Sequence, residues 1–155
     1  MSLSHLVREV RRNFLKGVGV PKQGTFEVDD FQKDAINSLV EGVDTLVVAP
    51  TGSGKTYIAL AAMDAVLQMN GRAIYTSPLK ALSNTKFVDF KQRFEPKHRV
   101  GLLTGDRKIE GDADIVIATT EIFRNELYKI SERYSLVVLD EVHFIADAQR
   151  GPVWE

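Results

Sequence analysis

The chain has no cysteine among its 155 residues. Disulfides, thiolate chemistry and cysteine-ligated zinc are therefore excluded. The composition fits an intracellular protein, with the cytoplasm, or else the nucleus, as the expected compartment. Long apolar runs are also lacking. None approaches the ~18 residues of a membrane span, so no membrane partner is expected. There is little excess charge of either sign, the net being −1. No global basic field draws a polyanion, and any contact with nucleic acid must come from local groups. The N-terminal stretch MSLSHLVREVRRNFLKG is basic but has no continuous apolar core and no small-residue cleavage site, which excludes a secretory signal. Leu3, Leu6, Val7, Val10 and Phe14 instead mark one face of a short amphipathic helix. Histidine is scarce, and His5, His98 and His143 have no metal-ligand spacing and no His-Glu-x-x-His pattern, so zinc is not expected.

What is present suffices for one domain with a core, since 44% of the residues are hydrophobic. Residues 1–24 read as a helix and linker, and 25–155 as the folded lobe. Gly17 to Asp30 carries Gly, Pro and Gly and reads as a loop. Asp29 or Asp30 can cap a helix over 31–41, where Phe31, Ala35, Ile36, Leu39 and Val40 repeat at helical spacing. TLVVA (45–49) predicts a fully buried strand, followed by a Gly-rich turn and a helix over 55–69. Strands are then expected at 72–77, 99–105, 112–120 and 135–140, with helices at 78–94 and 121–130. Near-uniformly apolar strands alternating with helices indicate an α/β fold: a parallel sheet with helices on both faces.

The strongest motif is APTGSGKT, Ala49 to Thr56, which follows an apolar run and opens a helix. That context marks the phosphate-binding loop of a P-loop NTPase. Pro50, Thr51, Gly52, Ser53 and Gly54 form the loop, and the small residues let backbone N–H groups turn onto phosphates. The helix N-terminus adds its dipole. Lys55 is placed to reach the terminal phosphates of ATP, and Thr56 to put its hydroxyl on Mg²⁺. Ala49 stands where the general motif has Gly.

SLVVLDEVHF, 135–144, ends an apolar strand in two acids. Ligands of parallel α/β sheets sit at the carboxyl ends of the strands, so Asp140 is expected to hold Mg²⁺, largely through its waters. Glu141 is expected to polarise the attacking water. Spacing leaves two readings of His143, a metal ligand without partners or an imidazole packed beside the site.

APTGSGKT and DEVH together resemble the phosphate loop and the Asp-Glu-x-His box of superfamily 2 helicases. YTSPLKALSNTKFVDF (75–90), VGLLTGD (100–106), ATTEIFRNELY (118–128) and RGPVWE (150–155) extend the likeness. They are similar to the first RecA-like lobe of the Ski-type, exosome-associated RNA helicases, over residues 26–155. The resemblance implies that Gln32 reads an adenine edge while Phe26 packs on the ring. It also implies a nucleic-acid track of Pro78, Lys80, Ala81, Thr104, Gly105, Thr119, Thr120 and Arg124, holding a sugar–phosphate backbone without reading its sequence. Helix capping is the plain alternative for Ser77 and Thr120. His143 becomes a residue that couples nucleotide state to the following motif.

Members of that family continue into a further strand, central to the sheet, and a second RecA-like lobe that supplies arginines to the γ-phosphate. The lobe is expected to be incomplete at its C-terminus. Without that strand, two apolar edges should be open to self-association. Without the arginines, typically worth ~10³–10⁵ in rate, the isolated chain should hydrolyse ATP poorly. The expected function is the ATP-binding lobe of an ATP-dependent helicase that translocates on single-stranded RNA and unwinds duplexes. The alternatives are a DNA helicase or translocase and a non-catalytic nucleotide-binding module. A small-molecule kinase on the same loop is disfavoured by the DEVH box and the SPLKALSN segment.

Overall fold

A computed structural model describes residues 28–130 and 134–146. The N-terminal amphipathic stretch, Phe26 and RGPVWE lie outside the described residues. The chain divides into two compact units, Met1–Met69 and Asn70–Glu155.

In the first unit, α1 (Asp30–Val40) and α2 (Lys55–Gln68) pack together. Ala35 and Ile36 from α1 meet Ile58, Ala61 and Ala65 from α2, with Phe31, Leu39, Val40 and Tyr57 at the margin. These residues recur at three- and four-residue spacing, so each helix presents one apolar stripe to the other. Asp29 starts α1 as part of a capping box: its N–H donates to Gln32 Oε1 at 2.9 Å.

The expected strand at Thr45–Ala49 does not form. The segment has no regular secondary structure and pairs with no strand among the described residues. Val47 packs against the two-helix cluster, whereas Leu46 and Val48 are 75% and 88% exposed. An apolar β-branched run supplies the propensity for a strand. A strand also needs a neighbour for its N–H and C=O groups.

The second unit holds a five-stranded sheet. Its strands are β1 (Ala73–Ser77), β2 (Val100–Leu103), β3 (Lys108–Ile109), β4 (Ile115–Thr119) and β5 (Leu136–Leu139), in the spatial order β3-β2-β4-β1-β5. All pairings are parallel except the short β2–β3 hairpin. The sequence pattern did not predict β3, which is two residues long and half charged. Gly101 permits the hairpin, because a Cβ there would collide with the backbone carbonyl of Glu110. Helix α3 (Lys80–Phe94) covers one face, with Phe87, Phe90 and Phe94 buried and Phe90 edge-on to Tyr75 at 5.2 Å. Helix α4 (Thr120–Ile130) covers the other, with Phe123 in a cluster with Ile74, Val116 and Ala118. Helices on both faces explain why β1, β2 and β4 are buried nearly throughout.

β5 departs from that pattern. It lies at the sheet edge, and Val137 and Leu139 are 44% and 46% exposed. The expectation of a strand covered on both faces fails there, since no described helix packs over those two side chains.

Candidate functional site

The loop expected to bind phosphate is built at the N-terminus of α2. Gly52 and Gly54 have φ of +80° and +84°, in the left-handed region that glycine enters at little cost. Ser53 closes the turn, with its N–H and its hydroxyl both donating to Pro50 O, at 3.2 and 2.6 Å. Gly54 is the N-cap of α2, so the helix opens directly out of the loop and its N-terminal end adjoins it. Lys55 folds back over it and donates to Ala49 O at 2.6 Å and Pro50 O at 2.9 Å. Those acceptors are neutral carbonyls. A phosphate is a charged and stronger acceptor for the same ammonium.

Gln32 lies beneath the loop. It is 1% exposed. Its Nε2 donates to Gly54 O at 3.1 Å and, at the limit of a hydrogen bond, to Ser53 O at 3.5 Å, while Oε1 accepts the N–H of Asp29. A Cβ on Gly54 would overlap Gln32 Nε2. The glutamine is thus a strut between the start of α1 and the phosphate loop. Sequence reasoning assigned it an adenine contact and missed the strut. The D-x-x-Q spacing of Asp29 and Gln32 was the available signal. Both ends of the amide are engaged, so an adenine edge would compete with these bonds.

In the second unit, Asp140 extends the β1–β5 pairing by one residue, its N–H donating to Thr76 O at 2.9 Å. Its carboxylate is held at both oxygens. Oδ1 accepts the N–H of Glu141 at 2.9 Å, and Oδ2 accepts the hydroxyl of Tyr75. Tyr75 is buried in β1. Burial pushes its pKa above the ordinary tyrosine range, and the hydrogen bond and charge of Asp140, with the charge of Glu141, push the same way. The phenol therefore stays a neutral donor. Tyr75 is a further site residue that sequence reasoning missed; its place in a buried strand read as core.

Glu141 has φ +57°, outside the comfortable range for a side chain with a Cβ, at ~1–2 kcal/mol. Such strain at one of two adjacent acids points to a functional constraint. Glu141 Oε2 lies 3.1 Å from His143 Nδ1. The imidazole is 70% exposed and lies against Phe144 in a one-turn 3₁₀ helix, Val142–Ala146. Among the described residues no group of three or more His, Cys, Asp or Glu could hold a metal. Mg²⁺ at nucleotide sites needs no such cage, being held by one or two carboxylates and by phosphates. Thr56 in the first unit and Asp140 in the second each carry an oxygen donor of the kind that ion takes.

The expected track residues converge on one edge. Because β2, β4, β1 and β5 are parallel, their carboxyl ends share a side of the sheet. In that spatial order they present Thr104, then Thr119 and Thr120, then Ser77 and Pro78, then Asp140. Lys80 and Ala81 follow, exposed, at the start of α3, and Arg124 is exposed on α4. Gly105 has open space around its α-carbon. Ser77 and Ser83 are buried and bonded to each other at 3.2 Å, and Ser83 reaches Ala118 O at 3.4 Å, which seats α3 over β1 and β4. Ser77 donates to Leu79 O at 3.1 Å. Thr120 Oγ1 is buried with no hydrogen-bond partner among the described residues, so its hydroxyl caps no helix.

A model of the family described as DEAD/DEAH box helicase matches residues 29–155. The chain is 50% identical over 133 residues to a probable helicase HelY of Mycobacterium leprae, covering 84% of this chain and 14% of that protein. It is 48% identical over 139 residues to the DExH-box ATP-dependent RNA helicase DExH15, chloroplastic, of Arabidopsis thaliana, covering 84% and 12%. It is 45% identical over 133 residues to the antiviral helicase SKI2 of Saccharomyces cerevisiae, covering 84% and 10%. The chain thus spans a small part of the length of these curated relatives.

Proposed function

The chain belongs to the DEAD/DEAH box helicase family, and from that premise we propose that it is the ATP-binding N-terminal lobe of an ATP-dependent RNA helicase. In this reading the complete protein spends ATP to move along single-stranded RNA and open duplexes. The observation that carries the proposal is the single sheet edge along which Thr104, Thr119, Pro78 and Asp140 stand in order. Hydroxyls, backbone groups and an adjacent lysine suit a sugar–phosphate backbone. An acid next in the row suits coupling of that grip to nucleotide chemistry. The Arabidopsis relative named as an RNA helicase favours RNA over DNA.

The amides of Gly52 to Thr56 and the ammonium of Lys55 take the phosphates of ATP. Thr56 and Asp140 are the residues that would hold Mg²⁺, which would supply positive charge to the phosphates. Tyr75 and the N–H of Glu141 fix the Asp140 carboxylate. Glu141 orients the attacking water, and His143, on the same carboxylate, couples its position to the chain that follows. The adenine contacts assigned to Phe26 and Gln32 belong to this proposal, with Gln32 having to exchange a loop bond for the base. The exposed apolar side chains of Leu46, Val48, Val137 and Leu139 support self-association of the isolated chain.

The test is ATP hydrolysis by the complete protein with and without single-stranded RNA or DNA of matched length. RNA should stimulate turnover more than DNA. Equal stimulation would remove the RNA assignment, and none by either strand would refute the helicase reading.

A further inference from the structure

The turn joining β2 to β3 is clipped onto the first turns of α3. The N–H of Thr104 donates to Arg107 O at 2.8 Å and closes the turn. Arg107 Nη1 donates to Asn84 Oδ1 at 3.2 Å. One helical turn earlier on α3, Lys80 is ion-paired with Asp106. The second Asp106 oxygen accepts the hydroxyl of Thr104 at 2.9 Å. Lys80 first, then Thr104, hold the Asp106 carboxyl below its usual range, so it stays ionised. One carboxylate therefore occupies an ammonium and a hydroxyl, and both donors lie among the residues read as strand track. An ammonium and a hydroxyl side by side are what a backbone phosphate takes.

We propose that Asp106 is a built-in phosphate mimic: in the free protein its carboxylate fills the subsite formed by Lys80 and Thr104, and a strand phosphodiester binds there by displacing it. The inference rests on the strand-binding reading of this edge. Displacement is feasible because an exposed ion pair is weak and salt-screened. The turn does not depend on that pair, since Arg107 anchors it to Asn84 independently. Once displaced, the carboxylate remains beside the strand and repels it, which shortens residence at this subsite. A track that must release and re-grip phosphates gains from such a competitor.

The test uses the complete protein and a salt titration of fluorescence anisotropy. The probes are fluorescein-labelled oligouridylate and, in parallel, oligothymidylate. Asp106→Asn removes the charge and keeps the shape. It should tighten binding about fivefold at low salt, the size of one screened charge contact at ~4 Å. The slope of log affinity against log salt should steepen by about 0.7, as for one added phosphate contact on a single strand. Lys80→Ala should weaken binding, and in that background the gain from Asp106→Asn should shrink to the residual repulsion, because the contested subsite is gone. Asp106→Glu, which keeps the charge, should bind as wild type. Unchanged or weaker binding by Asp106→Asn, with Lys80→Ala still weakening, overturns the mimic and leaves the track intact. An equal gain in both backgrounds is a general charge effect and also overturns it. Unchanged binding by Lys80→Ala refutes the strand reading at this edge and the mimic with it. The gain should appear on both probes if the phosphodiester is what is recognised, and a gain on one alone overturns that.

Discussion

Replacing Gln32 with alanine separates two roles that this residue could have. In the structure its buried amide makes two well-formed hydrogen bonds, to Asp29 N–H at 2.9 Å and Gly54 O at 3.1 Å, and a marginal one to Ser53 O at 3.5 Å. At ~0.5–1.5 kcal/mol net for each good bond, the strut contributes about 2 kcal/mol to the observed shape of the loop. If the loop must hold that shape to take phosphates, roughly 30-fold in Kd should be lost, at 1.4 kcal/mol per tenfold. The loss should be the same for every ligand that uses the loop. Titration calorimetry with ATP and with inorganic tripolyphosphate, both with Mg²⁺, checks this. The strut predicts equal losses for the two ligands. Weakened ATP with unchanged tripolyphosphate would refute it and leave Gln32 as an adenine reader. No loss for either would remove the residue from the site.

Other outcomes follow from the same geometry. Lys55→Ala should abolish Mg-ATP binding in the complete protein, and unchanged affinity by calorimetry would remove the loop as the nucleotide site. Glu141→Gln should bind ATP at wild-type affinity and lose turnover by at least ~10²-fold, the usual contribution of a general base; a near-wild-type rate would remove Glu141 from that role. Tyr75→Phe deletes the hydroxyl on Asp140 Oδ2. A hydrogen bond to a charged group is worth ~1.5–3 kcal/mol, and if even a third of that is felt by the metal, the Mg²⁺ concentration for half-maximal turnover should rise severalfold. An unchanged Mg²⁺ dependence would show that the carboxylate is held without Tyr75.

Much of the architecture was legible in the chain because it rests on local pattern. Ala35, Ile36, Leu39 and Val40 recur with helical period, and α1 forms within a residue of the expected bounds. The apolar runs at 73–77, 100–103, 115–119 and 136–139 became strands because each found a partner. Thr45–Ala49 has the same composition and did not, since strand propensity is expressed only against a neighbouring strand. The β2–β3 hairpin escaped notice because two residues are too short to display a period.

The sequence by itself determined the glycine-rich loop at the head of α2 and the acid pair after β5. Gly-Lys-Thr at a helix start and Asp-Glu at a strand end are contiguous, and their chemistry depends on spacing along the chain. Only the tertiary structure decided what supports those residues. Gln32 reaches Gly54 across 22 positions, Lys80 meets Asp106 across 26, and Tyr75 meets Asp140 across 65. Such contacts depend on strand order and register, which are set by how the apolar faces of separate elements pack, and no local pattern encodes that. The strut under the phosphate loop, the phenol on the Asp140 carboxylate and the acid that occupies Lys80 are consequences of packing.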